Sequence, residues 1–455
     1  MKTTSLNFVT ILFLGLLLFV SAVSAQAQTY HPDDKEGLRA FLRQPSAEAG
    51  KINAQWLGVT LADTANWQTN EGWVTKIPGL VWNNATPKRL TEIGNDWCAC
   101  ELAGYLDAKK WKMLETLYCD GNQLTALDVS GCTALKILAC ERNRLTTLNV
   151  SSCTALEFLN CQRNQLTHLD AGGCKALTVL LCEDNQLTAL DVDKCTALET
   201  LWCFNNLLTT LNVSGCTALE ILECHQNQLT NLDISGCTAL KELICAYNQL
   251  TTLDVNGCKK LTRLGCINNH ILLSDLFVVS EIIKKNSGIG TLGTQTLPQQ
   301  SAIVGVEVVF KPPQNVFNGI YTHFVVTKEG NSVPISDYSV RNGKITFHTE
   351  GVYMVTMTNA EIVSAWEPAC LTIEYEVKML GISETSQTNP LNAWASNGLL
   401  YVTGLSEGRV WSVYNIMGAL VHQSVATGNE VAIPLNAPGV YIVTSENRRV
   451  KVVYH

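Results

Sequence analysis

Between Leu114 and Ile271 the apolar residues return at fixed positions. Leu117, Leu138, Leu159, Leu180, Leu201, Leu222, Leu243 and Leu264 are each 21 residues apart, and Leu124 through Leu250 keep the same step. Within each copy, as in Leu117-Tyr118-Cys119, the first and third residues are apolar and the middle one varies. That alternation predicts a short strand whose outer pair points inward and whose middle residue points out. A self-similar period of this length predicts strands stacked in parallel, one per coil, into a solenoid. At ~4.8 Å between neighbours, eight coils make an array roughly 35 to 40 Å long.

The full unit is L-x-x-L-x-C-x-x-N-x-L-T-x-L-D-V-S-x-C-T-A, seen in "LDVSGCTALKILACERNRL" from Leu127 to Leu145. It resembles the leucine-rich repeat, with cysteine in place of the third leucine. The fold expected is an α/β-type leucine-rich-repeat solenoid over residues 113–272, with a parallel β concave face and 21-residue repeats, followed by two small all-β sandwich domains. Asn122, Asn143, Asn164, Asn185, Asn206, Asn227, Asn248 and Asn269 keep the period. They are expected to form a structural ladder, each side-chain amide satisfying backbone groups that the turning chain leaves unpaired.

Eighteen cysteines are present, and fifteen fall in two series that keep the period: Cys119 through Cys266, and Cys132 through Cys258. Both series occupy positions suited to a small apolar side chain facing the interior, where free cysteine behaves as a small hydrophobe. A disulfide wants Cβ atoms ~3.8 Å apart, closer than stacked strands hold them, so bridging would strain the ladder. Zinc sites need paired short spacings, which gaps of 13 and 8 do not supply. Core filling is favoured over disulfides, and both over metal or redox chemistry. Cys98, Cys100 and Cys370 lie outside the ladder, and Cys98 and Cys100 would face the same way on a strand.

Residues 29–112 hold a helical opening, "DDKEGLRAFLRQ", and the tryptophans Trp56, Trp67, Trp73 and Trp82. A solenoid needs its first apolar layer covered, so this region is expected to be an N-terminal helical cap with a degenerate first repeat, its tryptophans core rather than a sugar platform. "SDLFVVSEIIKKN" from Ser274 has apolar residues at helical spacing and a serine N-cap, predicting a capping helix within 273–290. Short alternating stretches separated by turns such as Asn342-Gly343 then predict an immunoglobulin-like β-sandwich over 298–380. A polar linker, 381–390, ends in Asn389-Pro390.

Residues 391–455 carry "VYNIMGALV", "IPLNAPGVYIV" and a basic strand at the end. In this order they are similar to the C-terminal sorting domain of the type IX secretion system, with Gly418, Gly439, Tyr441 and Lys451 at the positions that pattern marks. The resemblance implies passage across the outer membrane of a Gram-negative bacterium and contact with the secretion machinery. Residues 1–28 read as a signal peptide, with Lys2, an apolar run from Phe8 to Val20 and the small-residue stretch "SAVSAQAQ". The chain is therefore expected to be exported, with no membrane-spanning segment after cleavage.

A net charge of -8 without any basic run speaks against a nucleic-acid partner. No H-E-x-x-H, G-x-S-x-G or G-x-x-x-x-G-K motif occurs, so neither catalysis nor a cofactor is expected. The repeats differ most at the outward strand positions, which makes the concave face the expected binding surface. Tyr118, Phe158, Leu181, Trp202, Phe204, Glu223, His225, Ile244 and Tyr247 are its candidate residues, an aromatic and apolar patch with a polar border. The plan resembles an internalin-type adhesin, which implies an extracellular protein ligand. A glycan stacked on the tryptophans is the alternative.

Overall fold

The structure is a computed structural model that describes residues 30–379 and 391–454, except 66, 68–70, 311–313, 397 and 447. The signal peptide expected over 1–28 and the linker over 381–390 lie outside the described residues. Two compact units emerge: the chain up to residue 297 with segments 316–322 and 357–372, and a second built from 298–315, 323–356 and 373 onward.

The first unit is a leucine-rich-repeat solenoid. Among the described residues, eleven strands make its main sheet, from Leu80–Trp82 and Leu90–Ile93 through one strand per coil to Arg263–Gly265 and Ile289–Thr291. From Leu90–Ile93 onward every pairing is parallel, and Leu117, Leu138, Leu159 and their successors lie in one register. Those leucines are buried, as are Cys119, Cys140 and the rest of that series, while the residue between them faces outward. Period two along the strand and period 21 along the chain thus build one continuous apolar interior.

Each strand ends in a bend that needs a left-handed residue. Arg142, Arg163, Asp184, Asn205, Gln226, Tyr247 and Asn268 take it, at φ +51° to +55°. The asparagine that follows holds the bend. Asn206 Nδ2 reaches the carbonyls of Cys182, Cys203 and Phe204 at 3.1, 3.1 and 3.3 Å, and its Oδ1 accepts from Leu187 N at 3.0 Å. Two of these four partners belong to the preceding coil, so each asparagine also ties coil to coil.

All eighteen cysteines are free thiols. The second series does more than fill space: Cys132, Cys153, Cys174, Cys216 and Cys237 donate to carbonyls of the preceding coil at 3.1 to 3.4 Å, as Cys216 does to Val192 O at 3.1 Å. Cys98 and Cys100 are not on a strand. They follow the helical turn Asn95–Trp97, with Ala99 between them at φ +51°, so strand alternation does not apply. Cys98 Sγ donates to Asp120 Oδ1 at 2.6 Å and Cys100 Sγ to Cys98 O at 3.4 Å.

At the N-terminal end the helix Pro32–Leu42 buries Leu38, Phe41 and Leu42, and Phe41 stacks on Trp97 with centroids 5.7 Å apart. Trp67 and Trp73 are buried and stack at 5.4 Å. At the other end the helix Leu273–Lys285 buries Leu273, Leu276, Val279 and Ile283. Its N-cap is Leu272 rather than Ser274, whose hydroxyl instead reaches Asp275 Oδ1 at 3.3 Å from inside the first turn. Segments 316–322 and 357–372 add to this cover: Phe317 stacks on Phe277 at 5.1 Å, and Ser364 Oγ accepts from Leu292 N at 3.0 Å.

The second unit is all β. A five-stranded sheet, most of it in this unit, runs in the order Thr294–Ile303, Cys370–Lys378, Gly351–Thr358, His323–Lys328, Asn331–Ser332. Nearer the C-terminus, a three-stranded and a four-stranded sheet enclose a core of Leu400, Val402, Trp411, Val413 and Val443. Gly418 takes φ +78° in the turn between two of these strands, and Tyr441 Oη donates to Ala437 O at 2.6 Å.

Candidate ligand-binding face

The outward strand positions form three columns across the concave sheet. The first reads Thr116, Ile137, Phe158, Val179, Thr200, Ile221, Glu242, Arg263; the second Tyr118, Ala139, Asn160, Leu181, Trp202, Glu223, Ile244, Gly265. The third, beside the bend, reads Asp120, Glu141, Gln162, Glu183, Phe204, His225, Ala246, Ile267. In-register pairing sets each side chain about 4.8 Å from its counterpart in the next coil, so a column is a stack. Ile137, Phe158 and Val179 accordingly make an apolar stripe that the candidate set contained only through Phe158.

The structure brings Trp202, Phe204 and His225 together. Trp202 and Phe204 have ring centroids 6.3 Å apart, and Phe204 lies flat on the His225 imidazole at 4.4 Å with planes 10° apart. Leu181, Glu223 and Ile244 flank them in the second column, all half-buried. Glu223 Oε2 is 4.0 Å from His225 Nδ1, too long for a hydrogen bond. Tyr118 stands in the first coil, away from this group. Tyr247 is 52% exposed but sits on a bend at φ +55°, off the strand columns. A helical or strand pattern gives no warning of that, because the bend interrupts the alternation.

The electrostatics of the third column are unusual. Burial pushes the carboxyls of Glu141 and Glu183 up to about 7. Asp120 adds to the rise at Glu141, and Asp184 and Glu223 add to it at Glu183. Burial raises Glu223, helped by Glu242, and lowers His225. Among the described residues, Glu141 Oε2, Glu183 Oε2, Trp202 Nε1 and His225 Nδ1 are buried and have no hydrogen-bond partner. Sequence reasoning left Glu141 and Glu183 out of the candidate set; the signal for them was an acid directly after the interior cysteine. Chemically the face offers carboxylate acceptors, an indole donor and an aromatic platform. Among the described residues, no group of three or more His, Cys, Asp or Glu side chains is gathered as metal ligands, and no helix is long and apolar enough to cross a membrane.

No family model matches the sequence, and no curated protein matches it. Solved structures with a similar backbone include the functional domain of InlJ from Listeria monocytogenes, which includes a cysteine ladder, at 24% identity over 60% of this chain and 78% of that one, with a TM-score of 0.25. InlP from Listeria monocytogenes is similar at 16% identity over 63% of this chain and 90% of that one, with a TM-score of 0.39. The plant peptide hormone receptor RGFR1, solved in complex with RGF2, is similar at 19% identity over 44% of this chain and 39% of that one, with a TM-score of 0.37.

Proposed function

We propose that this chain is an exported binding protein, at the outer surface of a Gram-negative bacterium or released from it, that holds an extracellular protein ligand on its concave face. The observation that carries the proposal is the Trp202, Phe204, His225 group on that face, with the indole and imidazole nitrogens Trp202 Nε1 and His225 Nδ1 buried and unpartnered among the described residues. The rings of Trp202 and Phe204 are only part-buried and present apolar surface to a ligand. Aromatic anchors with a polar border are also where interface energy concentrates. Residues 391–455 serve as the sorting address for the type IX machinery, and the five-stranded β unit acts as a spacer.

Incubating the purified chain with extracellular proteins, beside a Trp202→Ala, Phe204→Ala variant, tests the site. A partner retained by the parent and lost by the variant supports it; equal capture by both moves the site elsewhere. The alternative, a glycan ligand stacked on Trp202, is favoured if a carbohydrate array binds the parent and not Trp202→Ala. Removing residues 391–455 tests the address: the shortened chain is expected to accumulate inside the cell, and normal surface display would refute that role.

A further inference from the structure

Glu183 is only 2% exposed, yet its Oε2 has no partner among the described residues, and Glu141, part-buried two coils away, likewise has a buried Oε2 without one. Gln162 lies between them in the same column. The three columns carry Asp120, Glu141, Glu183, Glu223 and Glu242 against a single Lys or Arg, Arg263, which is paired with Glu242. Glu141 and Glu183 stand two strand spacings apart, about 10 Å, too far to share one metal ion. That gap suits a long cationic side chain, whose several donors can reach carboxylates on both sides.

We infer that the ligand presents a basic side chain that seats over Gln162, between Glu141 and Glu183, with an apolar or aromatic side chain on the Trp202 and Phe204 group about 10 Å further along the stack. The inference rests on the concave-face reading above and names the chemistry of its ligand. It carries a proton linkage. The charged groups facing Glu141 are Asp120 and Arg142, and those facing Glu183 are Asp184, Glu223 and Arg163; burial outweighs both arginines. Free carboxyls raised to about 7 are largely protonated below that pH, whereas the cation needs them ionised. Binding therefore releases protons, is strongest above about pH 7 and weakens as pH falls through it. His225, lowered by burial, gains charge only at more acid pH and then repels the same cation.

The test is selection of a phage-displayed random peptide library on the purified chain at pH 8, followed by calorimetry of the selected peptides. The expected peptides combine Arg or Lys with an aromatic or large aliphatic residue. Their affinity is expected to fall by about tenfold or more at pH 5.5, and by a similar factor at about pH 8 in Glu141→Gln, Glu183→Gln, whose pH profile loses the step near pH 7 and keeps only the fall at more acid pH from His225. Those substitutions remove buried charge, and a melting curve confirms that the variant is folded. Peptides lost in Trp202→Ala but indifferent to pH and to the double glutamine variant would overturn the basic-ligand inference and leave the concave-face reading standing. Peptides indifferent to Trp202→Ala, or no enrichment at all, would take down both.

Discussion

Glu183 shows how one outward side chain comes to be charged at a cost. Its carboxyl folds back toward its own backbone N–H, and burial raises it from 4.5 to about 7. A raised folded-state value means that the stabilising protonated form is fully present below the unfolded value and is lost as pH rises through about 7. Glu183→Gln removes the charge and keeps the shape. Its melting temperature is expected to exceed the parent's at pH 8, with the two curves meeting below pH 5; equal melting temperatures at pH 8 would contradict the burial of that carboxyl. The asparagine ladder predicts the opposite sign. Asn206→Ala removes an acceptor and a shared donor from four backbone partners, which is expected to cost about 3 kcal/mol in denaturant unfolding.

At the scale of the coil, the two cysteine series are chemically different although both are buried. Among the described residues Cys203 Sγ makes no hydrogen bond, while Cys216 Sγ donates to Val192 O. Cys203→Ser buries a hydroxyl without a partner and is expected to cost about 1–3 kcal/mol, whereas Cys216→Ser keeps a donor in place and costs less. Denaturant midpoints of the two variants decide this; equal losses would refute the distinction. The ladder thiols are buried and driven upward, and burial with the Asp120 carboxylate drives Cys98 upward too, so in the folded chain Cys100 and Cys370 are the thiols open to a reagent, and the ladder reacts on unfolding. The strand of each coil was legible in the sequence because alternation and period were both counted on residues that stay in register. The carbonyl partners of the second cysteine series were not, because they lie 24 residues back in the chain. The turn at Cys98-Ala99-Cys100 escaped notice for a related reason: a short C-x-C run looks the same on a strand and on a bend.

At the scale of the molecule, the solenoid supplies a rigid array and the strand register decides which side chains can act together. The aromatic part of the candidate site was readable from the columns alone, since Trp202 ends one strand, Phe204 continues its alternation two residues on, and His225 follows Phe204 in the stack. Burial of Glu141 and Glu183 was not readable, because exposure of an outward residue depends on the bulk of its neighbours in adjoining coils. Both parts meet on the concave sheet, and the whole functional account stands on that surface. The measurement that tests it most directly is a calorimetric titration of the captured ligand against three chains: the parent, Trp202→Ala with Phe204→Ala, and a control with Thr188→Ala and Thr209→Ala on the exposed far side of the bends. The expected result is a loss of at least about 2 kcal/mol of binding in the concave variant and none in the control. Equal affinity in the parent and the concave variant, or a loss confined to the control, would contradict the account.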